Sequence, residues 1–267
     1  MDDTVLHDVR EDRVPGSHDR LVGADRVLAV LVELTQHPGG IGLDEMARLV
    51  ASSKPTVHRA LASLRRVGFA VQDGRGRYIL GDEFLRLAFA HHDVRPDHVR
   101  IQRVLEALAE RYGETAHYAV LDGATVVYRS KVDPKRGAVR LTSTVGGRNP
   151  AHSTAVGKLL LAYALPDAQA VRSWVGGRTL DRRTPQTVTT ADALAHELDV
   201  VRQRGYSVDD QENEDGIVCV AVPAFLTSPS VPSGAVSVSA PAYRTPLHRL
   251  MAEVPMIQAI LDGPLPP

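Results

Sequence analysis

Several groups of residues in this 267-residue chain have types and spacings that can do chemistry. Cys219 and His152 suggest a thiolate nucleophile with its base. No third group is placed to orient the histidine, and Cys219 lies in the apolar run Gly216 to Pro223, where a small buried residue is the default reading. Gly157-Lys158 suggests a phosphate loop. That loop needs glycine five residues before Gly157 and Ser or Thr after the lysine, and those places hold His152 and Leu159. The acidic run Asp209 to Gly216 suggests calcium. Aligning Gly216 with the loop glycine puts Gln211 first and Val222 last, where Asp and Glu are required. His91, His92 and His98 flank a helix break and read as solvated surface. No metal site and no cofactor is expected.

The remaining group is different in kind. Ser53, Lys54, Thr56, His58 and Arg59 crowd the start of a helical pattern whose other face is Val57, Leu61 and Leu64. In a helix-turn-helix, the N-terminal residues of the second helix meet base edges in the major groove. Arg59 can then read guanine in bidentate fashion or clamp a phosphate. Residues 51 to 80 carry Lys54, Arg59, Arg65, Arg66, Arg75 and Arg77 against Asp73 alone, in a chain whose net charge is −1. A basic module joined to a neutral remainder is the electrostatic footprint of nucleic-acid binding.

The elements that must hold these residues follow from periodicity. Residues 1 to 20 are polar and aperiodic and read as a disordered tail. Apolar residues recur at helical spacing from Ala24 to Leu34, and Pro38-Gly39-Gly40 ends that helix. Leu43 to Val50 is a second helix. Ser53 is the expected N-cap of a third, with Pro55 in its first turn and Gly68 after its end. Phe69 to Gln72 and Arg77 to Leu80 flank an Asp73-Gly74 turn as a hairpin, with Arg75 and Arg77 at or just after its tip. Helix, helix, helix, hairpin over residues 21 to 80 is a winged helix-turn-helix. Residues 81 to 95 read as a linker helix and 96 to 263 as one further domain. Its expected helices are 97–112, 153–164, 191–204 and 246–261. Its expected strands are 115–121, 125–132, 138–142, 217–222 and 234–239. The fold class is therefore α+β or α/β in two domains.

The composition is that of a globular chain, and the single cysteine excludes an intrachain disulfide framework. The longest stretch without an acidic or basic residue, Gly216 to Tyr243, is broken by four prolines and is no membrane span. The N-terminus has no apolar signal core, which reads as cytoplasmic.

Two regions resemble the IclR-type bacterial transcriptional regulators. The first is Ser53 to Leu61, followed by Leu64, Gly68 and Tyr78 to Gly81. The second runs from Val145-Gly146 to Pro150, then His152 to Ala162, Arg204 to Glu212, Gly216 to Pro223 and Ala235 to Pro241. The resemblance implies a C-terminal effector domain of GAF-like character. It implies homodimers paired through the N-terminal part, often joined into homotetramers, on double-stranded operator DNA. It also implies a small-molecule effector, commonly a carboxylic acid or aromatic catabolite.

Carried over by motif, the pocket positions are Thr154, Ala155, Val156 and Gly157, whose N–H groups suit an anion at a helix start, with Asp209, Cys219, Ser237 and Ser239. Leu141 and Ala138 join them on the apolar side. Ser237 and Ser239 alternate with Val236 and Val238, so one strand face is polar and needs partners if it points inward. Ser228 to Ser233 looks like an insertion, and Asn149 stands where an apolar residue is usual. The expected function is a ligand-responsive regulator, a repressor rather than an activator. The rival readings are a protein-docking winged helix without DNA and a hydrolytic or metal-binding enzyme in the C-terminal domain.

Overall fold

The structure is a computed structural model that describes residues 23–92, 96–135 and 141–263. The tail expected over 1–20 and Ala138 lie outside the described residues. The chain divides into two compact units, Met1–Arg95 and Pro96–Pro267. Among the described residues no helix is long and apolar enough to cross a membrane.

The N-terminal unit runs α1 (Gly23–Gln36), α2 (Leu43–Leu49), α3 (Lys54–Arg66), β1 (Ala70–Gln72), β2 (Tyr78–Leu80) and α4 (Asp82–His92). Its core is Val30 and Leu34 of α1, Met46 of α2, and Val57, Leu61 and Leu64 of α3, closed by Ile41 and Tyr78. The helical spacing of these residues puts one apolar stripe of each helix inward. Ile41 also exchanges both backbone hydrogen bonds with Tyr78, at 2.9 and 2.8 Å, which ties the α1–α2 connection to the hairpin.

Two local expectations are corrected here. Ser53 occupies the N-cap position of α3, but its side chain caps no N–H; its hydroxyl meets the Thr56 hydroxyl at 2.8 Å instead. The hairpin does not turn on Asp73-Gly74. The loop spans Asp73 to Arg77, and the Asp73 carboxylate accepts from the N–H groups of Arg75 and Arg77 at 2.9 and 2.8 Å. Gly76 takes the left-handed position, at φ 79°, a conformation that costs glycine little.

The C-terminal unit begins with α5 (Pro96–Tyr112) and continues β3 (Thr115–Asp122), β4 (Thr125–Val132) and β5 (Arg148–Pro150). A 3-10 turn at Ala151–Ser153 leads into α6 (Ala155–Ala164), then α7 (Ala168–Val175), α8 (Ala191–Arg204), β6 (Ser207–Asp210), β7 (Ile217–Ala224), β8 (Gly234–Pro241), α9 (Leu247–Ala252) and α10 (Val254–Asp262). The six strands form one sheet of order β5-β4-β3-β8-β7-β6, antiparallel at every pairing. Helices cover both faces. On one, Val236 and Val238 of β8 pack with α5, α9 and α10. On the other, Ala119, Ala221 and Ala235 pack under α6, α7 and α8.

Sequence reading overlooked β5, β6 and α7, each eight residues or shorter. The strand expected over 138–142 is not formed at Leu141 and Thr142, which are irregular. The terminal helix is two helices, because Pro255 sits in the first turn of α10 and brings no N–H for a continuous helix.

Candidate functional site

The alternation in β8 decides where polarity goes. All eight residues of the strand are buried, so Ser237 and Ser239 face the layer beneath α6 and not solvent. Strand register brings their neighbours. Cys219 of β7 pairs with Ser239 and also with Asp209 of β6, while His117 of β3 pairs with Ser237. A polar row thus crosses the sheet under the start of α6.

That row lines a small cavity, about 30 Å³ as it stands, which is room for a couple of water molecules. Of the nine expected pocket residues that the structure describes, eight lie on its wall: Leu141, Thr154, Ala155, Val156, Asp209, Cys219, Ser237 and Ser239. Gly157 is the exception. Its N–H is already taken by the Thr154 hydroxyl, at 3.1 Å, which caps α6. A Cβ at Gly157 would lie 2.2 Å from the Ala151 carbonyl oxygen, so the glycine permits close packing and does not offer an anion contact. Ala155 and Val156, the first two residues of α6, line the cavity, at the helix end whose dipole favours negative charge.

The wall also contains residues that sequence reading had not placed there: His117, Tyr128, Thr142, Ser143, Asn213, Glu214 and Ile217. Asn149, noted only as unusual, donates to the Tyr128 hydroxyl at 3.3 Å. His117 is held between the Ser143 hydroxyl on Nε2, at 2.8 Å, and the Ser239 hydroxyl on Nδ1, at 3.4 Å. Thr142 donates to Glu214 at 2.9 Å across the mouth. Alternation in β3 puts Thr115, His117 and Ala119 on one face, but only the adjacency of β3 and β8 brings His117 to Ser237.

Burial sets the protonation states. It pushes the Asp209 carboxyl up to about 7, although that carboxylate accepts from the Glu212 and Asn213 N–H groups at 2.7 and 3.3 Å. It pushes His117 down to about 3, helped by the Lys131 charge, so the imidazole is neutral. It raises the Tyr128 hydroxyl and the Cys219 thiol, and a thiol so held is a poor nucleophile. His152 meets the Asp181 carbonyl at 3.0 Å and is not on the cavity wall, so the Cys219–His152 pair does not assemble. His98 meets Ser130 at 3.3 Å, and among the described residues no cluster of three His, Cys, Asp or Glu side chains could hold a metal. The side chains of His91 and His92 lie outside the described residues.

A wider depression of about 1000 Å³ lies between α5 and the end of β4. Arg103, Glu106, Glu110, Asp133 and Lys135 line it, and it is open to solvent. Mixed charge on such a wall gives no one ligand chemistry, so the smaller cavity, lined by a buried polar row, is the better candidate.

In the N-terminal unit, Ser53, Lys54, His58 and Arg59 are exposed along the first turns of α3, with Thr56 half-buried between them. Lys54 pairs with Asp44 at 2.8 Å. Arg75 is exposed on the hairpin loop. Arg77 is exposed too, but its guanidinium donates to the Gly40 carbonyl, which makes it part of the brace between the hairpin and the α1–α2 connection.

Residues 90–260 match the family described as "Bacterial transcriptional regulator IclR C-terminal", and residues 23–74 match "IclR helix-turn-helix domain". The HTH-type transcriptional regulator KdgR of Escherichia coli (strain K12) is 34% identical over 92% of this chain and 91% of its own. A crystal structure of a regulator from Rhodococcus sp. RHA1, RHA06195, is 28% identical with a TM-score of 0.75, covering 88% of this chain and 93% of that one. The inducer-binding domain of a PobR double mutant from Acinetobacter, solved with 3-hydroxybenzoic acid, is 27% identical with a TM-score of 0.54, covering 60% of this chain and 93% of that one.

Proposed function

The chain belongs to the IclR family of bacterial transcriptional regulators, and from that premise we propose that it is a repressor whose operator binding is set by a small organic acid in the α6 cavity. The observation that carries the reading is the row of buried polar side chains that lines the cavity. Asp209, Ser237 and Ser239 are each at most 4% exposed, yet they face a hole and not a packed core. Buried polar groups need partners, the Ser237 hydroxyl has none among the described residues, and a ligand supplies one.

In this reading residues 21–80 are the DNA-binding domain, 81–95 the linker helix and 96–263 the effector domain. Ser53, Lys54, Thr56, His58 and Arg59 meet the major groove, and Arg75 the flanking backbone or minor groove. Arg77 acts through its brace to Gly40 and reaches phosphate only secondarily. The protein works as a homodimer or a pair of dimers, so that two α3 helices meet successive major grooves of a pseudo-palindrome. The acid binds one arrangement of the heads better than another and shifts the balance between them. Occupancy of an operator is enough to block transcription, which favours repression. The acid contacts the Ala155 and Val156 N–H groups at the start of α6, where the helix dipole favours an anion; that the PobR inducer-binding domain is solved with 3-hydroxybenzoic acid supports an organic acid as the kind of ligand.

The test is binding of the purified chain to the DNA upstream of its own gene, at two salt concentrations, with and without small carboxylic and aromatic acids. Selective, salt-weakened binding that one acid shifts is the expected result. Binding that no acid shifts would remove the sensing role, and the absence of selective binding would remove the operator role.

A further inference from the structure

The cavity wall is asymmetric in what it asks of a ligand. One place on the wall favours an anion, the start of α6 with Ala155 and Val156. Unused hydrogen-bond acceptors sit elsewhere and apart from one another. Asp209, on the wall, spends Oδ1 on two backbone N–H groups, and its Oδ2 has no hydrogen bond among the described residues. Glu214 spends Oε2 on Thr142 and leaves Oε1. Asn149 spends its amide N–H on Tyr128 and leaves its carbonyl. The Ser237 hydroxyl, 3% exposed and on the wall, has no protein partner among the described residues. These groups come from β6, β8, β5 and the β6–β7 loop, which lie on both edges and in the middle of the sheet. No lysine or arginine lines the cavity among the described residues.

An aromatic ring or a plain alkyl chain would cover these acceptors and give them nothing, and a buried acceptor without a donor is costly. An amino acid would bring one ammonium, which serves one place only and adds a cation beside the buried Lys158 at the same helix. Separate hydroxyl groups along a short carbon chain supply a donor at each place without charge. Resting on the reading that the cavity holds an organic acid, we infer that the effector is a short aliphatic carboxylic acid bearing two or more hydroxyl groups, its carboxylate on the Ala155 and Val156 N–H groups and its hydroxyls on Asp209, Glu214, Asn149 and Ser237. The cavity of about 30 Å³ must open to admit it, and the Thr142–Glu214 contact across the mouth is the bond that a ligand hydroxyl would replace.

The experiment is calorimetric titration of the full chain with D-gluconate, D-glycerate, pyruvate, benzoate, 4-hydroxybenzoate and L-glutamate, on wild type and on Asn149→Leu and Glu214→Gln. The expected result is that a hydroxy acid binds at least roughly tenfold tighter than pyruvate or either benzoate, since sites built for hydroxyls reject analogues that lack them. Each substitution then removes most of that margin while leaving the pyruvate affinity within about twofold, which a merely misfolded variant would not do. A benzoate or L-glutamate ranking first overturns the inference and leaves the acid-sensing reading standing. Equal loss for every acid in both variants also overturns it. If no acid binds, the acid-sensing reading falls and takes this inference with it.

Discussion

Lys158, only 1% exposed, places its ammonium against the Glu212 carboxylate, with Glu197 on its other side at 3.4 Å. Glu212 in turn gives its N–H to Asp209 and receives the Thr187 hydroxyl on its carbonyl, at 2.6 Å. The loop that carries Asp209's partners is therefore pinned to α6 through one buried charge pair. A pair of this kind is costly to break from one side, because the remaining charge stays buried without compensation.

Lys158→Met should destabilise the chain by about 3–5 kcal/mol, the range found when one partner of a buried pair is removed. Adding Glu212→Gln should recover part of that loss, since the stranded carboxylate is then neutral. Urea denaturation of both variants measures this. A double variant no more stable than Lys158→Met would mean that packing, and not charge, explains the cost.

Gly157→Ala tests why the residue at that place is glycine. The added methyl would lie 2.2 Å from the Ala151 carbonyl oxygen and 2.6 Å from the Thr154 hydroxyl. Overpacking against backbone costs about 1–3 kcal/mol. The expected variant has a lower Tm and a weaker acid response, because the Thr154 cap and the Ala155 and Val156 N–H groups shift together. An unchanged Tm would show that the 151–154 turn yields freely.

Asp209 gives stability a definite dependence on pH. Its carboxyl titrates near 7 in the folded chain and near 3.8 when unfolded. Both states are protonated in strong acid, so the stability is fully present there. As pH rises from about 4 to 7 only the unfolded state releases the proton, and stability falls through that window. Asp209→Asn keeps the acceptor for the Glu212 and Asn213 N–H groups but does not titrate. Relative to wild type it should be more stable at pH 8 than at pH 4, by on the order of 2–4 kcal/mol. His117 works oppositely, losing stability as pH falls from 6.5 towards 3, so the comparison is made as a difference between the two proteins at each pH. A constant difference across that range would show that Asp209 is ionised throughout.

What could be read in the sequence follows from how local each signal is. The α3 stripe of Val57, Leu61 and Leu64 and the β8 alternation are periodic within one element, and both stand in the structure. Helix α8 was bounded correctly because Thr190 caps its start and Gly205 takes the left-handed place at its end. The membership of His117, Tyr128 and Glu214 in the cavity depends on strand order instead. β3 and β8 are adjacent in the sheet but more than a hundred residues apart in sequence, and no periodicity carries that information. Four-residue β6 is too short to show alternation, and Asp209 was placed by resemblance and not by pattern. A motif records that residue 157 is glycine without recording whether its N–H is free, and the Thr154 hydroxyl takes it.

Arg59 separates DNA recognition from everything else in the chain. It is exposed on α3, while its neighbours Val57, Ala60 and Leu61 carry the packing of that helix. Arg59→Ala should therefore leave the Tm within about 1 °C, in keeping with the small effect of most surface substitutions. Operator affinity should fall by roughly tenfold, the weight of one good arginine contact. The salt series then identifies the contact. If Arg59 clamps a phosphate, the slope of log affinity against log salt becomes shallower by about one, and specific and random DNA lose affinity alike. If it reads guanine, the slope changes little and the loss is confined to the operator. The acid response should be untouched in either case. Unchanged operator affinity, measured by fluorescence anisotropy, would remove Arg59 from the interface and shift the reading to Thr56, His58 and the Arg75 loop.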